Sequence, residues 1–301
     1  MLNLDKPRDS DIHTLCDFAE LLCINCADKM CTKDGILEQI HDMGGARIAD
    51  ELMDDCFGQL AGRSNAYGGQ YPFTLDAHGR VLRMRENLSE GQKLYVLLLV
   101  CANLAFLSHA RSDMIALTGA FERVAWLAMR AVWPDTGVVR PFGKNESDYA
   151  GAKWQRINQL ALDVGGFGQC NAATFRGRDS GDGGIDLVAW LDLDSHEKSN
   201  IFSALAQVAC SRENWSAKQM EISDGRLNSA IHASHPWNKL MFIPQHFRDN
   251  RGKWAVPGDV ADVILFDRLR IVLQLQHGPD WAHISVPTVF EQILTESRDL
   301  V

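Results

Sequence analysis

Gly181-Asp182-Gly183-Gly184-Ile185-Asp186-Leu187-Val188-Ala189-Trp190 is the stretch on which the fold turns. A glycine-rich turn runs straight into an apolar strand, and Asp186 is the acid at the start of that strand. Further on, Ala204-Leu205-Ala206-Gln207-Val208-Ala209-Cys210 reads as a second strand with one polar side chain, Gln207, in an otherwise apolar run. A magnesium site needs oxygen ligands held side by side on rigid elements, and adjacent strands supply that. Asp186 and Gln207 are the candidate ligands, with the Val208 carbonyl as a further oxygen.

Working outward, Ala150–Leu162 reads as a helix ended by Gly165-Gly166, and Gln169–Phe175 as a strand. Arg176–Gly184 is a charged turn, followed by strands at Ile185–Leu191 and Ser203–Ala209. Ser211–Met220 reads as a helix with Ser211 as N-cap, and Lys239–Ile243 as a strand closed by Pro244. This helix, three strands, helix, strand order makes an α/β unit with one mixed sheet. The tail carries a helical run, Val260–Leu275, and a last helix from about Val289.

The N-terminal part reads as all-α. Asp9, Ser10 or Asp11 caps a first helix whose apolar face holds Ile12, Leu15, Cys16, Phe18, Ala19, Leu22 and Cys23. Ile36–Leu60 is a second helix of weaker period. The turn clusters 65–69 and 76–80 bracket a short hairpin or a loop. Ser89-Glu90-Gly91-Gln92 caps a helix to about His109, and another runs from Ser112 to Trp133, stopped by Pro134. The Pro-, Gly- and Asp-bearing stretch 134–147 is the expected boundary. It leaves a helical partner or sensor domain at 1–147 and the α/β domain at 148–301, with its core at 148–245.

Composition sets limits. At 46% hydrophobic and 23% charged, the 301 residues suit a globular protein with a sizeable core. The longest apolar run, Leu94–Leu107, contains Asn103 and is too short for a bilayer span, and no secretory pattern opens the chain. Eight cysteines scattered through apolar stretches suit a reducing cytoplasm, the expected location. The formal charge of −9 does not advertise a nucleic-acid binder, but it is uneven: residues 1–90 hold 9 basic and 16 acidic groups, residues 91–147 hold 6 and 4. A bound Mg²⁺ would add positive charge beside Asp186, which keeps phosphate binding open.

Taken together, Gly151–Asp163 with Gly165-Gly166, then Asp182-Gly183-Gly184-Ile185-Asp186-Leu187-Val188-Ala189, then Gln207 resemble the Mrr-like branch of the PD-(D/E)xK restriction-endonuclease superfamily. The resemblance covers roughly a third of the chain, and its specific part is the DGGIDLVA segment. It implies a restriction-endonuclease-like mixed sheet flanked by helices. It also implies a Glu on the first core helix, an Asp opening one strand, and Glu- or Gln-x-Lys on the next. Gln155 stands at the helix position, Asp186 and Gln207 match the strand positions, and Ala209 occupies the lysine position. Lys218 on the following helix, with Asn214 one turn before it, is the candidate replacement; Lys239 and Arg212 are alternatives. Asp182 and Gln155 are supporting residues.

The resemblance implies Mg²⁺-dependent hydrolysis of DNA, with Mn²⁺ as a substitute metal, in a bacterial anti-phage defence system. It admits a homodimer that cuts both strands. The acidic helical domain, with no DNA-reading motif, is expected to bind a controlling protein partner. A degenerate nuclease fold serving as scaffold or adaptor is the alternative, and an RNase of the same fold is another.

Other features have plainer readings. Cys16, Cys23, Cys26 and Cys31 invite a zinc site, but two of them sit on the apolar face of a helix, and core packing is preferred. The 232–237 segment, with two histidines, is read as a capping or packing loop. Cys210 is read as a buried thiol, Arg268 and Arg270 as a solvated helix face, and the tryptophans as core or interface.

Overall fold

Asp11 starts the first helix: its carboxylate accepts from the Thr14 amide at 3.0 Å, and α1 runs Ile12–Asn25. The structure is a computed structural model that describes Leu4, Pro7 and residues 11–45, 47–107, 111–143, 147–175 and 184–295. Residues 176–183, which include Asp182 and most of the expected charged turn, lie outside the described residues. The chain divides into two compact units.

The first unit comprises Met1–Phe121, Pro244–Pro257 and Asp267–Val301. After α1 come β1 (Met30–Thr32), α2 (Lys33–Asp42), α3 (Asp50–Tyr67), β2 (Phe73–Leu75), β3 (Val81–Met84) and α4 (Glu90–Ala102). The weakly periodic stretch 36–60 is split by a turn at Gly44-Gly45. The unit is not all-α, because β1, β3 and β2 form a three-stranded antiparallel sheet. Asp76 closes its hairpin, accepting from the Arg80 and Val81 amides at 2.6 and 2.9 Å. The cluster 65–69 is no hairpin edge but the end of α3. Ser89 and Gln92 form the expected capping box at the start of α4.

Charge fills the middle of this unit. Asp17, Glu20, Arg63 and Arg268 are at most 1% exposed. Arg63 lies 2.7 Å from Asp17 and 3.0 Å from Glu20; Tyr71 and Tyr95 donate to Glu20 at 2.7 and 2.8 Å, and Asn103 donates to Asp17 at 3.0 Å. Arg268 therefore does not face solvent, correcting the amphipathic reading. The helix Arg268–Gln274 starts one residue after its N-cap Asp267, and the guanidinium points at buried carboxylates. Desolvating such charges is costly, and only mutual pairing offsets it.

The second unit comprises Glu122–Ile243 and Gly258–Phe266. It begins within α5 (Arg111–Val132). It continues through β4 (Val138–Pro141), α6 (Lys153–Asp163), β5 (Phe167–Gly168), β6 (Leu187–Trp190), β7 (Ser203–Val208), α7 (Trp215–Lys218), α8 (Asp224–Leu227), β8 (Ile231–His232), β9 (Asn238–Phe242) and β10 (Ile264–Phe266). Among the described residues, five strands form one mixed sheet in the order β10-β9-β7-β6-β4. β4, β6 and β7 are antiparallel neighbours, while β7, β9 and β10 run parallel. The unit is therefore mixed α/β, as the strand-and-helix alternation predicts.

Four local expectations change. The stretch 134–147 is not a domain boundary: its β-branched Val138-Val139 pair makes β4, an edge strand that tolerates Pro141 at its end. Consequently the units do not divide at residue 147, and 267–301 belongs to the first unit. Gln169–Phe175 is not a strand, because the Asn158 side chain takes both the carbonyl and the amide of Cys170, and Asn171 turns the chain. Ser211–Met220 is a turn, the four-residue α7 and a 3-10 turn rather than one helix. Within Val260–Leu275, Ile264–Phe266 pairs with β9 before Asp267 caps the helix; a short apolar run fits a buried strand as well as a helix.

The end of α6 behaves as predicted. The Gly166 amide bonds to the Ala161 carbonyl at 2.8 Å and that of Gly165 to Leu162 at 3.2 Å, the double closure of a Schellman cap. Gly165 has φ +66°, and a Cβ there would sit 2.1 Å from the Lys198 backbone. Around α6 and one face of the sheet, Ile157, Leu160, Val188, Trp190, Leu205 and Trp237 pack into the core of the unit.

Candidate functional site

Three strands converge on Asp186. It stands one residue before β6, where its amide donates to Ala206 at 2.9 Å. Its carbonyl accepts from the Phe142 and Gly143 amides just past β4, at 2.8 and 3.0 Å. Its carboxylate Oδ2 accepts from the Val208 amide at the end of β7, at 2.6 Å. A charge-assisted bond of that length holds the side chain as firmly as the backbone is held. The Gly184-Ile185 approach that makes this possible is tight: Gly184 has φ +85°, a region that favours glycine.

Gln207 follows the last β6–β7 pair, Leu187↔Ala206, and pairs with Met241 on β9. It is 5% exposed, and its Oε1 is buried with no hydrogen-bond partner. An unsatisfied buried amide oxygen is costly to folding, on the order of 1–3 kcal/mol, and the β6–β7 register carries Gln207 to the position opposite Asp186.

Reading the sequence missed three further residues. Asp186 lines a small pocket together with Glu122, Arg123 and Trp126 of α5, Pro141, Gly143 and Leu187. The Trp126 ring is fixed by Nε1 donating to the Val139 carbonyl at 3.2 Å, and the Arg123 guanidinium lies 5.1 Å from its centroid. Because 134–147 reads as a boundary, α5 is assigned to the helical domain and Glu122 goes unnoticed. The Val138-Val139 pair is the signal that makes α5 the helix preceding the first strand of the sheet.

Other predicted site residues do not join this pocket. Gln155 is exposed, and its Oε1 accepts from the Ala152 amide at 2.7 Å, so it caps α6 rather than reaching Asp186. Asn214 and Lys218 do share one turn, with the Lys218 amide donating to the Asn214 carbonyl at 3.2 Å. Among the described residues, however, no hydrogen bond or ion pair links Lys218 to Asp186 or Gln207. Ala209 is buried, its amide donating to Phe242 at 3.0 Å. Lys239 is held by Asp224 and Asp262; burial works against its charge, but the two carboxylates raise its pKa above the ordinary lysine value.

The remaining expectations resolve simply. Cys16 and Cys23 are fully buried, as the apolar face of α1 predicts, while Cys210 is half-buried. In the 232–237 segment His235 lies 2.7 Å from Ser203 Oγ and 3.1 Å from Ser234 Oγ, a packing role, and burial lowers its pKa. Trp190, Trp215 and Trp237 are buried.

Among the described residues no group of three or more His, Cys, Asp or Glu side chains is placed to hold a metal ion. The available donors are hard oxygens: Asp186 and Glu122 line the pocket, and Gln207, whose amide oxygen is unpaired, follows Ala206 in the register opposite Asp186. Such a set fits Mg²⁺ or Mn²⁺ rather than a softer ion, with modest affinity because it offers two anions and water must fill the rest. No helix among the described residues is long and apolar enough to cross a membrane. No family model, curated protein or solved structure matches this chain.

Proposed function

We propose that the second unit is a restriction-endonuclease-like nuclease that hydrolyses DNA phosphodiester bonds with Mg²⁺. The observation that carries this reading is the Asp186 carboxylate, tied at 2.6 Å to the end of β7 and sharing a pocket with Glu122 and Arg123. α5, β4, β6, β7, α7–α8 and β9 follow one another in a helix, three-strand, helix, strand order, with α6 and β5 inserted; in it α5 takes the place of the first helix, which the sequence put at Ala150–Leu162. On this reading Glu122, not Gln155, is the helix acid.

Asp186, Glu122 and Gln207 would hold the cation, which when bound lowers the pKa of a coordinated water and offsets charge on the phosphate. Asp186 orients that site, because its second contact to Val208 fixes the carboxylate plane. Arg123 replaces the missing lysine as the cation beside the phosphate, a role for which its pocket position suits it better than Lys218. The acidic first unit would receive the protein partner that controls cutting, and the defence setting rests on the resemblance.

Incubating wild-type and Asp186→Ala protein with plasmid and single-stranded DNA in Mg²⁺, Mn²⁺ or EDTA tests this. Metal-dependent cutting by wild type alone is the expected result. One observation favours the scaffold reading: with Ala209 at the lysine position and Lys218 detached, no lysine lines the pocket among the described residues. Folded protein that never cuts, even with its partner, would select the scaffold.

A further inference from the structure

α5 carries a cationic ladder that leads away from the Asp186 pocket. Arg123, Trp126 and Arg130 recur at helical spacing and so share one face. The two guanidiniums lie 5.1 and 4.9 Å from the same Trp126 centroid, and the ring is pinned to β4 through the Val139 carbonyl. Arg123 and Trp126 line the pocket, whereas Arg130 is exposed. Residues 91–147 also carry a positive balance, 6 basic against 4 acidic groups, in a chain of formal net charge −9. Stacking on a fixed ring limits the arginine rotamers, and a planar guanidinium grips phosphate through two bonds.

We propose that Arg123, Trp126 and Arg130 form a track that holds the phosphate backbone of a nucleic-acid strand as it enters the Asp186 pocket. The inference rests on the nuclease reading for its direction. Arg123 holds the phosphate nearest the carboxylates, and Arg130 holds one further along the same strand, where charges recur every ~3.4 Å of axial rise. Trp126 is the positioning residue that sets both guanidiniums.

The test is fluorescence anisotropy of labelled single-stranded DNA, RNA of the same sequence, and duplex DNA, with the full chain in EDTA across a salt titration. Wild type should bind at low salt. The double variant Arg123→Gln, Arg130→Gln should weaken binding about tenfold or more. Its log–log salt slope should fall by ~1.4 on single strands, about 0.7 for each lost phosphate contact. Lysines at both positions should restore most of the slope, and exposed Arg226→Gln, with circular dichroism confirming folding, should change nothing. The tighter of the DNA and RNA arms names the strand. Wild type that binds none of the three, or a folded double variant with an unchanged slope, overturns the track. Because no step requires cleavage, a protein that binds through the ladder but never cuts would sink the nuclease reading and leave the track standing.

Discussion

Arg268 meets Asp17 across 251 positions of sequence, its two terminal nitrogens lying 3.2 and 3.0 Å from the two carboxylate oxygens. The pair ties the helix after Asp267 to α1, and the segment from Asp267 onward belongs to the first unit. Burial opposes the Arg268 charge, but Asp17 and the neighbouring tyrosines outweigh it and raise its pKa above the ordinary value.

Removing one partner should therefore be severe. Arg268→Met leaves Asp17 buried with one cation fewer, and the loss should be about 3–5 kcal/mol in urea unfolding. The double variant Arg268→Met, Asp17→Leu should recover some of it. A single variant within about 0.5 kcal/mol of wild type would show that the pair adds little.

His246 sets an acid limit on the same unit. It is fully buried between Tyr67, 3.0 Å from Nδ1, and Gln59, 3.4 Å from Nε2. Burial first, then Arg63 and Arg268, push its pKa well below the usual value. The folded state thus holds it neutral while the unfolded state takes a proton near pH 6.5, so its stabilising share is intact above that pH and is lost as pH falls below it. Chemical denaturation between about pH 7.5 and 5 should show stability falling by up to ~1.4 kcal/mol per pH unit from this group, and His246→Gln should flatten that slope. An unchanged slope in the variant would assign the acid sensitivity elsewhere.

A Gln207 variant tests the proposed metal role against a packing role. Gln207→Met removes the unpartnered buried oxygen at nearly constant volume, so folding stability should hold or rise by about 1 kcal/mol. On the nuclease reading proposed above, the Mg²⁺ concentration for half-maximal cutting should rise severalfold. A variant that is less stable with unaltered metal dependence would mean that the amide serves the fold alone.

Gly165 offers a test of the α6 cap. Gly165→Ala places a Cβ against the Lys198 backbone at a left-handed φ, and thermal unfolding should report a loss of about 2 kcal/mol or more. A loss within a few tenths would mean that the 198–199 segment yields.

Much of the second unit was legible because its signals are local. Asp186 at the head of an apolar run, Gln207 alone in another, and the Gly165-Gly166 stop each follow from neighbours in sequence. So does the Ser89–Gln92 capping box, and the structure keeps all of them. What failed were readings that needed a partner strand. Val138-Val139 looks like a linker until β6 pairs with it, and Ile264–Phe266 looks helical until β9 does.

The sequence by itself determined the cap that starts α4, the glycine stop after α6 and which acid opens β6, since capping, glycine turns and apolar runs act over a few residues. Tertiary structure alone decided that Glu122 and Arg123 share the pocket of Asp186, and that Arg268 is buried on Asp17 instead of facing water. Contacts between residues far apart in sequence leave no periodic trace, and only packing the elements together selects them.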